Sequence, residues 1–168
     1  MAFREVDISE LQFNPFTKIG REWALLTAGD EHDSNTMTVS WGGVGVNWGK
    51  NVVTVYVRPQ RYTKEFIDAA DRFTLSFYGP EHKRALGMLG SKSGRDTDKV
   101  AEVGFTPFYV DGTTAYEQAD LVFVCRKLYA DDIKPERFID ESCDSTWYPE
   151  HDYHTMYIAE IEKALVRE

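Results

Sequence analysis

Short segments rich in Val, Thr and aromatic residues dominate the sequence, and they restrict its fold more than any other feature. Residues 51–59, NVVTVYVRP, form a β-branched run that a proline ends, as is typical of a strand. Residues 36–46, TMTVSWGGVGV, form another strand-type segment, whose glycines indicate a bend, a bulge or a close backbone approach. ADLVFVCRKLYA (residues 119–130) and HTMYIAEIEKALV (residues 154–166) predict two more strands. The chain is therefore expected to be mainly β.

Helical patterns are fewer and lie between these strands. RYTKEFIDAAD (residues 61–71) has apolar residues at helix spacing, with Thr63 as the expected N-cap, and EHKRALGML (residues 81–89) predicts a second helix. KPERFID (residues 134–140) predicts a short helix with its proline near the start. Asp111-Gly112, between β-type residues, is the strongest hairpin signal. Strands joined by hairpins favour an antiparallel barrel or sandwich over a parallel βαβ sheet.

The composition limits the possible partners. A chain of 168 residues is expected to form one domain, residues 1–168, and its net charge of −9 argues against nucleic acid or an anionic membrane as a partner. Without a signal-peptide pattern or a membrane-length apolar run, and with two cysteines, the chain is expected to be cytoplasmic with reduced thiols. Aromatic residues make up 14%, which suits a packed core or the stacking of a flat ligand.

The glycine-rich stretch TVSWGGVGVNWGKN, residues 38–51, nearly matches two phosphate-binding motifs. A P-loop needs four residues between its first glycine and the Gly-Lys pair, but five separate Gly43 from Gly49, and Asn51 replaces the final Ser or Thr. The G-x-G-x-x-G fingerprint fails as well, because three residues separate Gly45 from Gly49. The hydroxyls of Thr36, Thr38 and Ser40 remain available for a ligand whose ring approaches the glycine-bearing backbone.

Two basic segments stand out in this acidic chain. RPQRYTKE (residues 58–65) brings arginines, a lysine and a threonine to the junction of a strand and a helix, where phosphate binds readily. SKSGRDTDK (residues 91–99) places basic residues and serines around Gly94, which can adopt the left-handed conformation needed for a backbone anion nest. Each could instead be a solvated surface segment, but together they indicate that a phosphate is held.

No pattern for acid–base, nucleophilic or metal catalysis is present. HDYH (residues 151–154), with Cys143 before it, matches no zinc spacing, so no metal is expected, and Cys125 in an apolar strand is expected to be an inert core thiol. The hard chemistry of an enzyme would then belong to a cofactor. A flat ring, a phosphate tail and a β-rich scaffold together fit flavin mononucleotide (FMN).

Several motifs resemble the flavin reductase-like, FMN-binding split-barrel family, and most closely its flavoredoxin-type branch. They are NTMTVSWGG, GVNWGKNVVTVYVRPQRYTKEFI, SGRDTDK and YHTMYIAEIEK, and the resemblance extends from about Asn14 to the C-terminus. It implies a Greek-key split β-barrel with a few interposed helices, a homodimer, and FMN near the dimer interface. It also implies that NAD(P)H would bind transiently over the flavin, because no dinucleotide fingerprint is present.

The resemblance also implies roles for individual residues. One strand end would contact the isoalloxazine ring and the ribityl chain, two basic segments would hold the phosphate, and His154 would lie close to the flavin or nicotinamide. The expected ring and ribityl contacts are Met37, Thr38, Val39, Ser40 and Trp41, and the expected phosphate-end contacts are Arg58, Arg61, Thr63, Ser91, Lys92, Ser93 and Arg95.

Three functions are compatible with these features. The first is an FMN-dependent oxidoreductase that takes hydride or electrons from NAD(P)H or another reduced donor and passes them to an acceptor such as flavin or ferric iron. The second is an FMN electron-transfer protein whose redox partner is another protein. The third, a ligand-binding barrel without redox chemistry, is the least compatible with the pattern of charge.

Overall fold

The computed structural model describes residues 2–168 and is built around an eight-stranded antiparallel sheet. The strands are β1 Phe3–Val6, β2 Ala24–Gly29, β3 Ser34–Val39, β4 Gly43–Asn47, β5 Lys50–Val57, β6 Arg72–Phe77, β7 Pro107–Val110, β8 Thr113–Tyr116, β9 Leu121–Asp132 and β10 Thr155–Arg167. The α-helices are α1 Pro15–Gly20, α2 Thr63–Ala69, α3 Lys83–Ser91, α4 Lys99–Val103 and α5 Glu141–Trp147. In the main sheet the order is β3-β2-β6-β9-β10-β5-β4, with β1 also paired to β10, and β7 and β8 form a separate hairpin.

A three-residue connection forces this sheet to curl. β3 and β4 lie at opposite ends of the strand order, yet only residues 40–42 join them. Six strand spacings in a flat sheet would separate the two edges by about 29 Å, whereas so short a connection spans about 14 Å when fully extended. The two edges must therefore come together, and the predicted Greek-key split β-barrel with interposed helices is confirmed.

β10 is the strand that links the two halves of the barrel. One of its edges pairs with β9 over residues 155–166, and the other pairs with β5 over residues 155–160 and with β1 over residues 164–167. Two register shifts along the β9 ladder, at Ile158/Ala159 and Ile161/Lys163, let this long strand bend around the barrel. Since Thr155 pairs with Val57, the residue that precedes β10 lies beside the end of β5.

The core has two layers because part of the sheet is covered on both faces. Side chains such as Leu26, Val55 and Phe123 fill the interior of the barrel. Leu25 and Val122 point the other way and pack beneath α3 and the β7–β8 hairpin. Burial on both faces explains why these strands are continuous apolar runs in the sequence rather than alternating ones.

The structure corrects several local predictions. The segment 36–46 is two strands on opposite edges of the sheet, not one. Thr63 is the first residue of α2, Tyr62 occupies the N-cap position without a side-chain bond, and the Thr63 hydroxyl accepts a hydrogen bond from Asn35 instead. Residues 135–137 form a single 3₁₀ turn where a short helix was predicted.

Other predictions are confirmed, and some elements were missed. The Asp111-Gly112 hairpin turn is present with both residues at positive φ, 49° and 75°, as the right-handed twist of a hairpin requires. β1, α1 and α5 were not predicted, because their sequences have no marked periodicity. Across residues 2–168 the structure contains no helix that is both long and apolar enough to cross a membrane.

Gly42 is the residue that permits the turn between the two edges. Its φ is 149°, and a Cβ on it would lie 2.8 Å from the carbonyl oxygen of Thr54. We expect Gly42→Ala to lower the free energy of unfolding by roughly 1–3 kcal/mol because of the strained backbone and this contact. Gly45→Ala is the matched control, since nothing lies within 4 Å of its Cβ position. Urea denaturation measures both, and equal changes in the two variants would contradict this account of the turn.

Candidate functional site

Two adjoining cavities open where the edges of the barrel meet. The first, called here the strand-end cavity, has a volume of about 180 Å³ and the second, the loop cavity, about 390 Å³. The strand-end cavity is lined by Met37, Thr38, Val39, Ser40, Trp41, Tyr56, Arg58, Arg61 and His154. The loop cavity is lined by Asn35, Met37, Arg58, Gln60, Arg61, Tyr62, Thr63, Ser91, Lys92, Ser93, Gly94, Lys99 and Asp152. Three residues line both, so the cavities form one continuous groove.

Every residue to which the family resemblance gave a role in the site, except Arg95, lines one of these cavities. Arg95 pairs with Glu65, and its guanidinium lies over the Tyr62 ring, 4.6 Å from the ring centroid. It therefore supports the wall of the loop cavity from behind. The strand end, the two basic segments and His154 converge as the sequence predicted, and their role as cofactor contacts stays a prediction.

Aromatic side chains flank the strand-end cavity. The Trp41 ring lies 5.3 Å from the His154 ring and packs edge-to-face on Trp147 at 5.1 Å. Tyr56 approaches His154 from another side, with ring centroids 6.3 Å apart. Trp41 remains partly exposed, so the cavity offers an aromatic wall to a flat ligand.

The hydroxyls expected to face a ligand are mostly engaged in the protein. Thr36 is fully buried and bonds to Thr27 and to the carbonyl of Leu26, which places it in the core rather than in the groove. The Thr38 hydroxyl donates to the carbonyl of Leu86, and this bond fastens β3 to α3. The prediction that Thr36 supplies a ligand hydroxyl is therefore wrong, whereas Ser40 lines the cavity and is exposed.

His154 is buried at the end of the strand-end cavity. Its Nδ1 lies 2.7 Å from the hydroxyl oxygen of Tyr148. Burial, with the nearby charge of Arg58 as a smaller cause, lowers the pKa of His154 to about 4. The imidazole is therefore neutral at physiological pH.

A half-buried cation, Arg61, and a buried one, Lys99, face the loop cavity. The Arg61 guanidinium donates to the carbonyl of Gly90 at 2.7 Å, and the Lys99 ammonium donates to the carbonyls of Leu89 and Lys92 at 2.7 and 3.0 Å. Burial lowers the pKa of both, and the charge of Arg61 contributes to bringing the pKa of Lys99 to about 8. Within residues 2–168, neither cation forms an ion pair with a carboxylate. Asp152, the acidic residue that lines this cavity, is paired with Arg58.

The other basic residues already have partners. Lys92 pairs with Glu102, and Lys64 pairs with Asp68 at 2.6 Å, one turn along α2. Arg58 pairs with Asp152 at 2.8 Å and also donates to the carbonyl of Trp147 at 3.1 Å. Arg58 thus ties residues 147–152 to the end of β5.

Gly94 is required in this site for a reason other than the expected one. Its φ is not positive, so the predicted left-handed nest is wrong. A Cβ at this position would lie 2.1 Å from the side-chain oxygen of Asn35, whose amide donates to the Thr63 hydroxyl at 2.8 Å. The glycine allows the loop to pass directly over that buried amide.

Sequence reasoning missed Asn35 and Tyr148, and it named Lys99 only as part of a basic segment. Asn35 begins the NTMTVSWGG motif but was given no role there, and Tyr148 belongs to no motif; each reaches the site through a contact distant in the sequence. Lys99 begins α4 and is buried, which its place in a polar segment did not indicate. No group of three or more potential metal ligands is found in residues 2–168, and in HDYH the two histidine rings bond to different tyrosines.

The sequence is similar to a known domain family and to part of a known protein. The family model of the flavin reductase like domain matches residues 16–168. The high molecular weight rubredoxin of Moorella thermoacetica is 36% identical over 76 residues, a match that covers 41% of this chain and 33% of that protein. The match thus spans a third of that rubredoxin.

Solved structures share the fold. The flavoredoxin of Methanosarcina acetivorans superposes with a TM-score of 0.67 at 22% identity and covers 88% of this chain and 69% of its own. A split-barrel protein of the flavin reductase type from Shewanella frigidimarina has a TM-score of 0.69 at 15% identity, and covers 100% of this chain and 81% of its own. Because the family model matches nearly the whole chain, this protein belongs to the flavin reductase-like domain family.

Proposed function

We propose that the protein is an FMN-binding oxidoreductase that passes hydride or electrons from NAD(P)H or another reduced donor to an acceptor such as flavin or ferric iron. The observation that carries this proposal is that half-buried Arg61 and buried Lys99 face one cavity without carboxylate partners in residues 2–168. Buried charges without counter-charges are costly, so the cavity suits a ligand that brings negative charge. A phosphate monoester supplies two charges and several acceptor oxygens.

The continuity of the two cavities supports FMN in particular. A ring against Trp41 and a phosphate between Arg61 and Lys99 would belong to one ligand, since Met37, Arg58 and Arg61 line both cavities. When bound, FMN supplies the redox chemistry. The residues of the chain would bind and orient it: Trp41 and Tyr56 flank the ring, and the cations fix the other end.

The alternative is an FMN electron-transfer protein with a protein redox partner and no turnover of NAD(P)H. Two similarities support this alternative. A structural neighbour is a flavoredoxin, and a relative in sequence is a high molecular weight rubredoxin. Both proposals include a homodimer, which rests on the family resemblance, and a cytoplasmic location, which rests on the sequence pattern.

Substitution of the two cations tests the phosphate site. We expect Arg61→Met and Lys99→Met each to weaken FMN binding, because a charge-assisted bond contributes about 1.5–3 kcal/mol. That corresponds to roughly 10- to 100-fold in Kd. Fluorescence titration of the apoprotein with FMN gives the affinity, and circular dichroism confirms that each variant is folded.

Two controls make this test specific. Lys64→Met removes a cation that lines neither cavity, so its FMN affinity should match the wild type. Riboflavin, which has no phosphate, should bind equally to the wild type and to all three variants. A similar loss of riboflavin affinity, or no loss of FMN affinity, would remove Arg61 and Lys99 from the phosphate site.

The lowered pKa of Lys99 predicts a pH dependence of FMN binding. Below its pKa of about 8 the amine is charged without ligand, and above it the charge is lost. A bound dianion favours the charged form and raises this pKa, so FMN binding takes up a proton between the two values. Above pH 7, where the phosphate is a dianion, Kd should therefore begin to rise near pH 8 and increase by at most about tenfold per unit. Titrations from pH 7 to 9 should show this rise for the wild type and a flat profile for Lys99→Met.

Anaerobic reduction distinguishes the enzyme from the carrier. If the protein is an NAD(P)H oxidoreductase, mixing the FMN-loaded protein with NADH or NADPH should bleach the flavin absorbance within seconds to minutes. Failure with both nucleotides, with rapid reduction by a reduced protein carrier such as rubredoxin, would favour electron transfer between proteins. A protein that takes up no FMN would contradict both proposals.

A further inference from the structure

The hydrogen bond between Tyr148 and His154 carries an inference that the proposed function does not include. Tyr148 follows α5 and His154 precedes β10, and both side chains are buried, with exposures of 5% and 7%. The Tyr148 hydroxyl oxygen lies 2.7 Å from Nδ1 of His154. Tyr148 lines neither cavity, so this bond approaches the imidazole from behind.

The direction of the bond follows from the available partners. The imidazole is neutral and carries one proton, on either Nδ1 or Nε2. If Nδ1 carried it, the Tyr148 hydroxyl would accept, and its own proton would have no acceptor among residues 2–168. Buried hydroxyls are rarely left in that state. Tyr148 therefore donates to Nδ1, and the proton of His154 is on Nε2.

Nε2 is the free end of this arrangement. This nitrogen makes no hydrogen bond to any residue in 2–168. A buried atom without a partner would be one of Ser76 Oγ, the Tyr78 hydroxyl oxygen and Thr113 Oγ1, and Nε2 is not among them, so it is accessible from the cavity. His154 lines the strand-end cavity beside Trp41, where the ring of a ligand would lie. The N–H is thus positioned to donate to that ligand.

Arg58 holds Tyr148 in place. Its guanidinium lies over the Tyr148 ring, 5.1 Å from the centroid, and its bonds to Asp152 and to the carbonyl of Trp147 fix the segment on both sides. The hydroxyl of Tyr148 therefore presents one fixed donor to the imidazole.

We propose that Tyr148 is a positioning residue that holds His154 in the Nε2–H tautomer, so that His154 serves as a neutral hydrogen-bond donor to the ring bound in the strand-end cavity. The inference rests on the proposed function for the identity of that ring. A donor aimed at ring atoms that gain negative charge on reduction stabilises the reduced form more than the oxidised form. Loss of the bond should therefore make the reduction potential of bound FMN more negative.

Nitrogen NMR and potentiometry test the proposal in two steps. In the ligand-free protein with ¹⁵N-labelled histidine, His154 should show a bare Nδ1 and a protonated Nε2 from pH 6 to 8. In Tyr148→Phe this preference should weaken, and the potential of the FMN-loaded variant should shift to a more negative value with little change in FMN affinity. Tyr153→Phe is the matched control, because its hydroxyl bonds to Asp144 at 2.8 Å and not to His154.

His154→Gln provides the second variant, since its amide can place an N–H near the former Nε2 without needing Tyr148. It should keep a potential closer to the wild type than His154→Ala does, and adding Tyr148→Phe to it should cause no further shift. A wild-type protein in the Nδ1–H tautomer, or a Tyr148→Phe variant with unchanged tautomer and potential, would overturn the proposal. Because the NMR step uses no flavin, a failure of FMN binding would contradict the proposed function and leave the tautomer result readable.

Discussion

The hydrogen-bond ladder of β10 is the constraint on which the rest of the structure depends. β10 pairs with β9 on one edge, and with β5 and β1 in turn on the other. It therefore fixes the positions of three separate parts of the chain relative to one another. A slip of one residue would turn every side chain of β10 to the opposite face. The end of β5 and His154 are neighbours for this reason, so the binding groove follows from strand pairing before any side chain in it is considered.

The groove lies where the barrel is not closed by hydrogen bonds. β3 and the β4–β5 hairpin meet there through the short connection at residues 40–42, and the backbone around Trp41 serves two purposes, as a link between edges and as a wall of the site. The basic residues around the groove differ in whether they have acidic partners. A chain of net charge −9 keeps Arg58 and Lys92 in ion pairs and leaves Arg61 and Lys99 without them. Two cations without carboxylate partners thus lie where a phosphate would be held.

The predictable features are those that depend on neighbouring residues in the sequence. β5, β9 and the Asp111-Gly112 turn follow from local β-propensity and turn chemistry, and the glycine-rich stretch was correctly expected to bend. The site required a family resemblance, because its parts are separated by more than a hundred residues. Asn35 and Tyr148 were missed since each matters only through one distant contact. Thr36, Thr63 and Gly94 were given the wrong local roles because those roles depend on which groups pack against them.

The charges of Arg61 and Lys99 affect the stability of the protein before it binds its ligand. Each disfavours the charge of the other, so the empty folded protein carries a repulsion that the unfolded chain, with both groups in water, does not. A ligand that brings two negative charges removes this repulsion and adds its own binding energy to folding. A ligand of this kind would then protect the folded chain from unfolding and from proteolysis. The abundance of the protein would follow the availability of its ligand.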